Sequence, residues 1–142
     1  WRAPGRVKAA TAAGAVTVAV TGNSLYLDYC QDEPSPDINC TSVTTIQTFY
    51  SYNPCDGLTE EEQERLLGIQ AAMWTHVARD VRDVDIQIFP RLIAAAESGW
   101  TPLESKDFDR FSKHLKEQHF SYLDTLGIAY YVVQTYPKIS PQ

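Results

Sequence analysis

The chain has 142 residues, of which 44% are hydrophobic, so it contains enough apolar side chains for one modest core. Its 18 acidic residues outnumber its 12 basic residues, and the net charge of -6 argues against a nucleic-acid partner, which would need a surplus of Lys and Arg. No segment reaches the roughly 20 consecutive apolar residues of a membrane-spanning helix, so we expect no membrane span.

The first half is predicted to contain two helices, each followed by a strand. Residues 4–13 (PGRVKAATAA) favour a helix that ends at Gly14. Residues 15–20 (AVTVAV) are β-branched or apolar, which is typical of a strand buried on both faces. Residues 59–68 (TEEEQERLLG) begin with a capping box and predict a second helix, and residues 69–74 (IQAAMW) predict a second buried strand.

The segment between these two units is predicted to be a loop. Residues 31–58 are rich in Pro, Asp, Asn, Ser and Thr, with one further element expected at residues 44–52. Three cysteines in this region allow at most one disulfide, so free and singly paired thiols both remain open: Cys30, Cys40 and Cys55. Neither the cysteines nor the dispersed histidines have the spacing of a zinc site, and no metal or cofactor is predicted.

The second half is predicted to be helical. Residues 86–100 place apolar side chains on one stripe that ends at Trp100, with Pro90 acceptable only in a first turn. Residues 101–104 (TPLE) resemble another capping box. The last predicted helix ends at Gly127, and its apolar stripe consists of Phe108, Phe111, Leu115, His119, Tyr122 and Leu126.

This order of elements predicts the α/β class, because buried strands separated by helices form βαβ units with a parallel sheet. Parallel sheets carry their chemistry in the loops at the carboxyl ends of the strands. Two pairs of residues occupy such positions. Tyr26 and Asp28 follow the first strand, and Trp74 and His76 lie at the end of the second.

Three segments together resemble a known enzyme family. YLDY (residues 26–29), LLGIQAAMWT (66–75) and FPRLIAAAESGW (89–100) resemble the C-terminal part of the catalytic barrel of family 20 glycoside hydrolases, the β-N-acetylhexosaminidases. The resemblance implies that residues 1–142 are the C-terminal part of a (β/α)8 TIM barrel, about the last two to three βα units. A whole barrel needs roughly 250 residues, so the isolated chain would be incomplete.

The resemblance also implies a reaction. Family 20 enzymes remove terminal non-reducing N-acetylglucosamine or N-acetylgalactosamine with retention, and the sugar's own acetamido oxygen attacks the anomeric carbon. An adjacent Asp-Glu pair orients the acetamide and supplies the general acid. That pair belongs to the fourth strand, whereas this chain resembles the barrel from the end of the sixth. Asp32-Glu33 lies in a proline-rich loop and is interpreted as a solvated pair.

We therefore expect the chain to need the N-terminal part of the same barrel, and to be inactive alone. The alternative is a non-catalytic truncated or processed fragment with at most weak sugar binding. The expected ligand is the terminal N-acetylhexosamine of oligosaccharides or glycoconjugates. The resemblance leaves secreted, periplasmic and lysosomal-type compartments open.

Carried over residue by residue, the resemblance assigns four site positions. The Tyr26 hydroxyl would bind the acetamide oxygen, and the Asp28 carboxylate would accept hydrogen bonds from outer sugar hydroxyls. The Trp74 indole would stack on the pyranose, and Trp1 would form a wall beside the acetamide methyl. The alternatives are a loop tyrosine, a capping aspartate, a core tryptophan and a frayed terminal residue, respectively.

His76 departs from the family, which commonly has glutamate there. If residues 74–76 are extended, His76 projects to the same side as Trp74 and contacts an outer hydroxyl; otherwise it turns away and caps the next segment. Arg91 and Glu97 match the family's closing helix, and we expect them to pair within or beside that helix.

Overall fold

Two parallel strands pair with each other, β1 (Thr17–Ala19) and β2 (Leu66–Ile69). Their pairing continues past the strands, where Tyr26 forms a parallel bridge with Ala72. The predicted α/β class with a parallel sheet is therefore confirmed. The structure is a computed structural model, and the part of the chain that it describes is residues 3, 5–33, 40 and 42–132.

Both strands differ in extent from the prediction. β1 is shorter than residues 15–20, and β2 precedes most of residues 69–74. The reason is that the Thr17 amide donates to the Arg65 carbonyl at 2.8 Å, so pairing with β1 starts before Gly68, where a helix end was expected. Tertiary pairing here overrides the local helical preference.

The predicted helices before the two strands are confirmed, with shorter bounds. α1 (Gly5–Ala12) is followed by Gly14, whose φ of 85° favours glycine. α4 (Glu60–Gln63) has the expected capping box, in which the Thr59 amide donates to Glu62 Oε2 at 2.8 Å. Between them lie α2 (Gly22–Leu25) and α3 (Ile46–Ser51).

The expectation that the first strand is buried on both faces is wrong for this chain. Ala19 of β1 is fully buried, but Val18 is exposed, and in β2 the side chain of Leu67 is 72% exposed. Parallel sheets normally have both faces covered. The described residues therefore provide only part of such a sheet.

The helix predicted over residues 86–100 is two helices. α5 (Val81–Ile88) and α6 (Arg91–Trp100) are separated by Phe89 and Pro90, which are joined by a cis peptide bond. Proline cannot continue a helix, because it lacks the amide hydrogen and its ring clashes with the preceding turn. The continuous stripe does not form, and Trp100 is exposed.

The last predicted helix contains an unpredicted π-helical turn. α7 (Phe108–His114) leads into this turn at Leu115–His119, and α8 (Phe120–Thr125) follows. The wider turn adds one residue, so the buried face shifts by one position. Leu123 is buried, and Tyr122, which was predicted to be buried, is exposed.

The capping box predicted at residues 101–104 does not form. A short 3₁₀ turn covers Leu103–Ser105. The cap of α7 is Asp107, whose carboxylate accepts from the Arg110 amide at 2.9 Å. The helix is therefore capped by an aspartate three residues after the predicted box.

The core lies mainly where α3 packs on α6 and α7, and its buried residues are Leu25, Leu27, Ile46, Phe49, Tyr50, Ala94, Ala95, Phe108, Phe111 and Leu115. Cys30 and Cys40 form a disulfide, and Cys55 is a free thiol. Among the described residues, no helix has the length and apolar character needed to cross a membrane.

Candidate active site

Tyr26 is held where the segment after β1 pairs with the segment after β2. The Leu27 amide donates to the Ala72 carbonyl at 2.8 Å, and the Ala72 amide donates to the Leu25 carbonyl at 2.9 Å. The Tyr26 side chain is buried, and its hydroxyl has no hydrogen-bond partner among the described residues. Buried hydroxyls are normally paired, so an unpaired one at the strand ends marks a candidate binding group.

Asp28 lies two residues further along and is also buried. Its Oδ1 atom has no hydrogen-bond partner in the described part of the chain. Burial raises the pKa of Asp28, because it disfavours the charged form, while its own backbone amide and the charges of His76 and Arg91 act in the opposite direction. Burial therefore disfavours the charged carboxylate of Asp28, and its Oδ1 atom accepts no hydrogen bond from the described residues.

Trp74 and His76 approach these two side chains from the segment after β2. The Tyr26 and Trp74 rings meet edge to face, with centroids 5.9 Å apart, and Trp74 is 44% exposed. His76 Nε2 lies 4.0 Å from Asp28 Oδ2, and the imidazole is 62% exposed. Of the two alternatives for this segment, the extended backbone does not form, since Thr75–Val77 is a 3₁₀ turn, yet His76 still faces Asp28.

The structure thus brings together four of the five predicted site residues: Tyr26, Asp28, Trp74 and His76. Trp1 lies outside the described residues. A phenol, a carboxylate and an imidazole around a partly exposed indole can bind a ring that has hydroxyl groups and an apolar face. Asp32 and Glu33 are exposed, and Asp32 Oδ2 accepts from the Tyr131 hydroxyl at 2.8 Å. The described residues contain no cluster of three or more metal-ligating side chains.

Arg91 is the residue that sequence reasoning misjudged. It is fully buried and, instead of pairing with Glu97, it donates to four backbone carbonyls, those of Leu27 (2.5 Å), Tyr29 (2.8 Å), Thr44 (2.9 Å) and Gln87 (2.8 Å). Burial lowers its pKa to about 9, and the charge of Asp28 partly opposes this effect. One feature of the sequence could have indicated a buried Arg91. Gln87 and Arg91 are two long polar side chains four residues apart in an apolar stretch.

The sequence matches the family model described as glycosyl hydrolase family 20, catalytic domain, over residues 1–103. The chain belongs to glycosyl hydrolase family 20. One relative is a β-hexosaminidase of Porphyromonas gingivalis, which is 33% identical over 135 residues. That match includes 93% of this chain and 17% of the relative. A β-N-acetylhexosaminidase of Cellulomonas fimi is 28% identical, with 90% of this chain and 26% of the relative covered.

Solved family 20 structures have the same fold. The exo-β-N-acetylglucosaminidase of Vibrio harveyi, solved with N-acetylglucosamine, matches 93% of this chain with a TM-score of 0.79 and 28% identity. The β-N-acetylhexosaminidase of Streptomyces coelicolor matches 94%, also at 0.79. This chain spans 21% and 27% of those proteins, respectively. It therefore represents part of a family 20 barrel, as the resemblance implied.

Proposed function

We propose that residues 1–142 form the C-terminal part of the catalytic barrel of a β-N-acetylhexosaminidase. The proposed enzyme removes terminal non-reducing N-acetylglucosamine or N-acetylgalactosamine with retention, by attack of the acetamido oxygen on the anomeric carbon. One observation carries the proposal. The buried Tyr26 hydroxyl and Asp28 Oδ1 have no partners among the described residues, and the Tyr26 ring meets the partly exposed indole of Trp74.

Tyr26 acts on the reacting group in this proposal. Its hydroxyl donates to the acetamide oxygen and holds that oxygen in line with the anomeric carbon. Because Tyr26 is packed and its backbone is paired with Ala72, the donor is fixed before the sugar arrives. A fixed donor costs little reorganisation as the oxygen attacks.

The other site residues recognise the sugar. Asp28 accepts a hydrogen bond from an outer hydroxyl, a stronger bond than a neutral acceptor would form. Trp74 offers its indole to the apolar face of the pyranose, and Trp1 is proposed to enclose the acetamide methyl.

His76 and Asp28 together suit a single hydroxyl. The 4.0 Å between Nε2 and Oδ2 exceeds a direct hydrogen bond, yet one oxygen at about 2.8 Å from each atom fits between them. That hydroxyl would donate to the carboxylate and accept from the imidazole. A glutamate at position 76 would instead offer a second acceptor, so we propose that His76 alters selectivity at the outer positions of the sugar.

The general acid is proposed to come from an upstream part of the same barrel. The described residues place no Asp-Glu pair at a strand end, and the curated relatives are several times longer than this chain. The same observation favours a second candidate, a fragment that binds sugar weakly and does not hydrolyse it.

The intact mass and activity of the native protein distinguish the two candidates. The enzyme proposal requires a mass well above the 16.0 kDa of this chain. It also requires that the native protein release the β-anomer from a 4-nitrophenyl N-acetyl-β-glucosaminide, which proton NMR detects. An N-trifluoroacetyl substrate should react more slowly, because its amide oxygen is a weaker nucleophile. The 142-residue chain alone should show no turnover. Robust turnover by this chain, free of longer species, would disprove the proposal that the acid lies upstream.

A further inference from the structure

The hydrogen bonds of Arg91 reach the backbone on either side of Asp28. Two of its four acceptor carbonyls belong to Leu27 and Tyr29, the residues immediately before and after Asp28. The Leu27 carbonyl belongs to the peptide that precedes Asp28, and the Tyr29 carbonyl belongs to the peptide that follows Tyr29. Bonds to both therefore hold the Asp28–Tyr29 backbone at its two ends, which limits how Asp28 can turn and where its side chain points. The guanidinium thus acts on the backbone of Asp28 without contacting a ligand.

Gln87 reinforces the same two positions. Its amide nitrogen lies 3.4 Å from the Leu27 carbonyl and 3.4 Å from the Tyr29 carbonyl. Gln31 adds a bond in the opposite direction, from its amide nitrogen to the Ile86 carbonyl at 2.6 Å. Hydrogen bonds in both directions therefore join the segment that includes Asp28 to the end of α5 and the start of α6. Arg91 and Gln87 donate from the helices, and Gln31 donates from the segment.

Arg91 also packs on the Phe49 ring, with 5.5 Å from its guanidinium carbon to the ring centroid. A buried arginine is costly unless its donors are used; its Nη donors bind the four carbonyls, while Nε has no partner among the described residues. Its positive charge also favours the ionised form of Asp28, against the larger effect of burial on the pKa of that carboxyl. Arg91 therefore acts on Asp28 in two ways, through the adjoining backbone and through its charge.

We propose that Arg91, assisted by Gln87, is a positioning residue that directs the Asp28 carboxylate toward the sugar. This inference rests on the proposed function, in which Asp28 binds a sugar hydroxyl. Arg91 itself does not touch the substrate. Its effect on turnover should therefore depend on the presence of the carboxylate at position 28.

A double-mutant cycle in the native protein tests this dependence. Arg91→Lys retains a positive charge but lacks the planar fork that reaches two carbonyls at once. We expect it to lower kcat/KM about tenfold when Asp28 is present, and less than about twofold in an Asp28→Asn background. Equal losses in both backgrounds, or no loss in either, would show that Arg91 has only a structural role.

Ser98→Ala is the matched control. Ser98 is on the same helix and is also buried, and its hydroxyl donates to the carbonyls of Phe49 (2.5 Å) and Tyr50 (2.9 Å), away from Asp28. Its loss should lower stability and leave kcat/KM within about twofold, at a temperature where circular dichroism shows every variant folded. A parallel fall of kcat/KM in Ser98→Ala and Arg91→Lys would contradict the proposal.

Two further measurements cover the remaining outcomes. If Arg91→Lys does not fold, Gln87→Leu enters the same cycle, with an expected loss of about threefold that disappears in Asp28→Asn. If the wild-type protein does not hydrolyse the substrate, the proposed function fails, and a crystal structure of a folded Arg91→Lys or Gln87→Leu variant still tests positioning. Displacement of the Asp28 carboxylate by about 1 Å or more supports the inference, whereas an unmoved carboxylate overturns it.

Discussion

Two buried tyrosines illustrate how differently the two regions of this molecule use their polar groups. The hydroxyl of Tyr50, in the helical core, accepts from the Asp107 amide at 2.6 Å. The hydroxyl of Tyr26, at the strand ends, has no partner among the described residues. Each ring has an edge-on aromatic neighbour, Phe108 for Tyr50 and Trp74 for Tyr26. The two tyrosines are packed alike, and they differ in whether their hydroxyl groups are used.

The polar groups near each tyrosine show the same difference, paired near Tyr50 and partly unpaired near Tyr26. In the helical region, Lys106 Nζ donates to the carbonyls of Tyr50 and Tyr52, each at 3.0 Å, and Ser98 is fully paired. At the strand ends, Asp28 keeps a buried oxygen without a partner. Unpaired buried polar atoms reduce stability, and proteins keep them mainly where function needs them. Around Tyr50 the polar atoms named here serve folding, whereas around Tyr26 two of them remain for binding. The division holds for these two neighbourhoods and not for every helical position, since Ser112 Oγ on α7 is also buried without a partner among the described residues.

The largest expected effect is on turnover, from Tyr26→Phe in the native protein. We expect kcat to fall about 100-fold, with a smaller change in KM, because the lost bond strengthens as the acetamide attacks. Steady-state kinetics with an N-acetyl-β-glucosaminide measure both constants. Tyr29→Phe, whose ring lies 5.8 Å from the Tyr26 ring, is the control and should change kcat little. A Tyr26→Phe enzyme with normal kcat would remove the distinction between the two tyrosines.

Asp28→Asn should lower kcat/KM about tenfold at neutral pH, because an amide is a weaker acceptor than a carboxylate. The pH profile sharpens this expectation. Burial raises the pKa of Asp28, although His76 and Arg91 oppose the shift, so Asp28 takes up its proton at a higher pH than an ordinary aspartate. In the wild type, kcat/KM should therefore fall on acidification earlier than such an aspartate would cause. Persistence of that same fall in Asp28→Asn would assign it to another group.

His76→Glu should change selectivity by about fivefold, equivalent to about 1 kcal/mol for one hydrogen bond. The measurement compares kcat/KM for gluco, galacto and 6-sulfated N-acetylhexosaminides. A cationic imidazole favours the anionic sulfate, so the wild-type preference for that substrate should increase on acidification. Unchanged ratios for all three substrates would place His76 outside the sugar site.

Tyr50→Phe should have the smallest effect, and on stability alone. Loss of the bond to the Asp107 amide should lower the free energy of unfolding by about 1 kcal/mol, measured by urea denaturation. The kinetic constants should be those of the wild type. A fall in kcat without a loss of stability would reverse the roles that the comparison assigns to the two regions.

The sequence predicted the parallel arrangement and the meeting of the two strand-end pairs, because carboxyl ends of parallel strands lie at one edge of the sheet. It did not predict that Thr17 pairs with Arg65, which moved the second strand toward the N-terminus. Local preferences around residue 65 favour a helix, and only the partner strand reverses that preference.

The contacts of Arg91 could not be predicted for a related reason. Its acceptors are carbonyls 4 to 64 residues away in sequence, and no pattern within α6 indicates which loops pass beside it. His76 was predicted to lie on the side of Trp74 if residues 74–76 were extended; that segment instead enters a 3₁₀ turn, which places the imidazole 4.0 Å from Asp28. The site therefore depends on tertiary geometry that periodicity alone does not contain.

The π-helical turn at Leu115–His119 affects how this chain is aligned and engineered. An alignment that assumes a continuous helix places every position after Leu115 one residue away from its spatial equivalent, so a one-residue gap belongs in the turn. Deleting one residue there would rotate the following segment by about 100° and replace Leu123 with its neighbour at the core. The π-helical turn therefore determines which side chains of α8 point to the core. An α8 segment taken from a relative without this turn would direct a different face to the core.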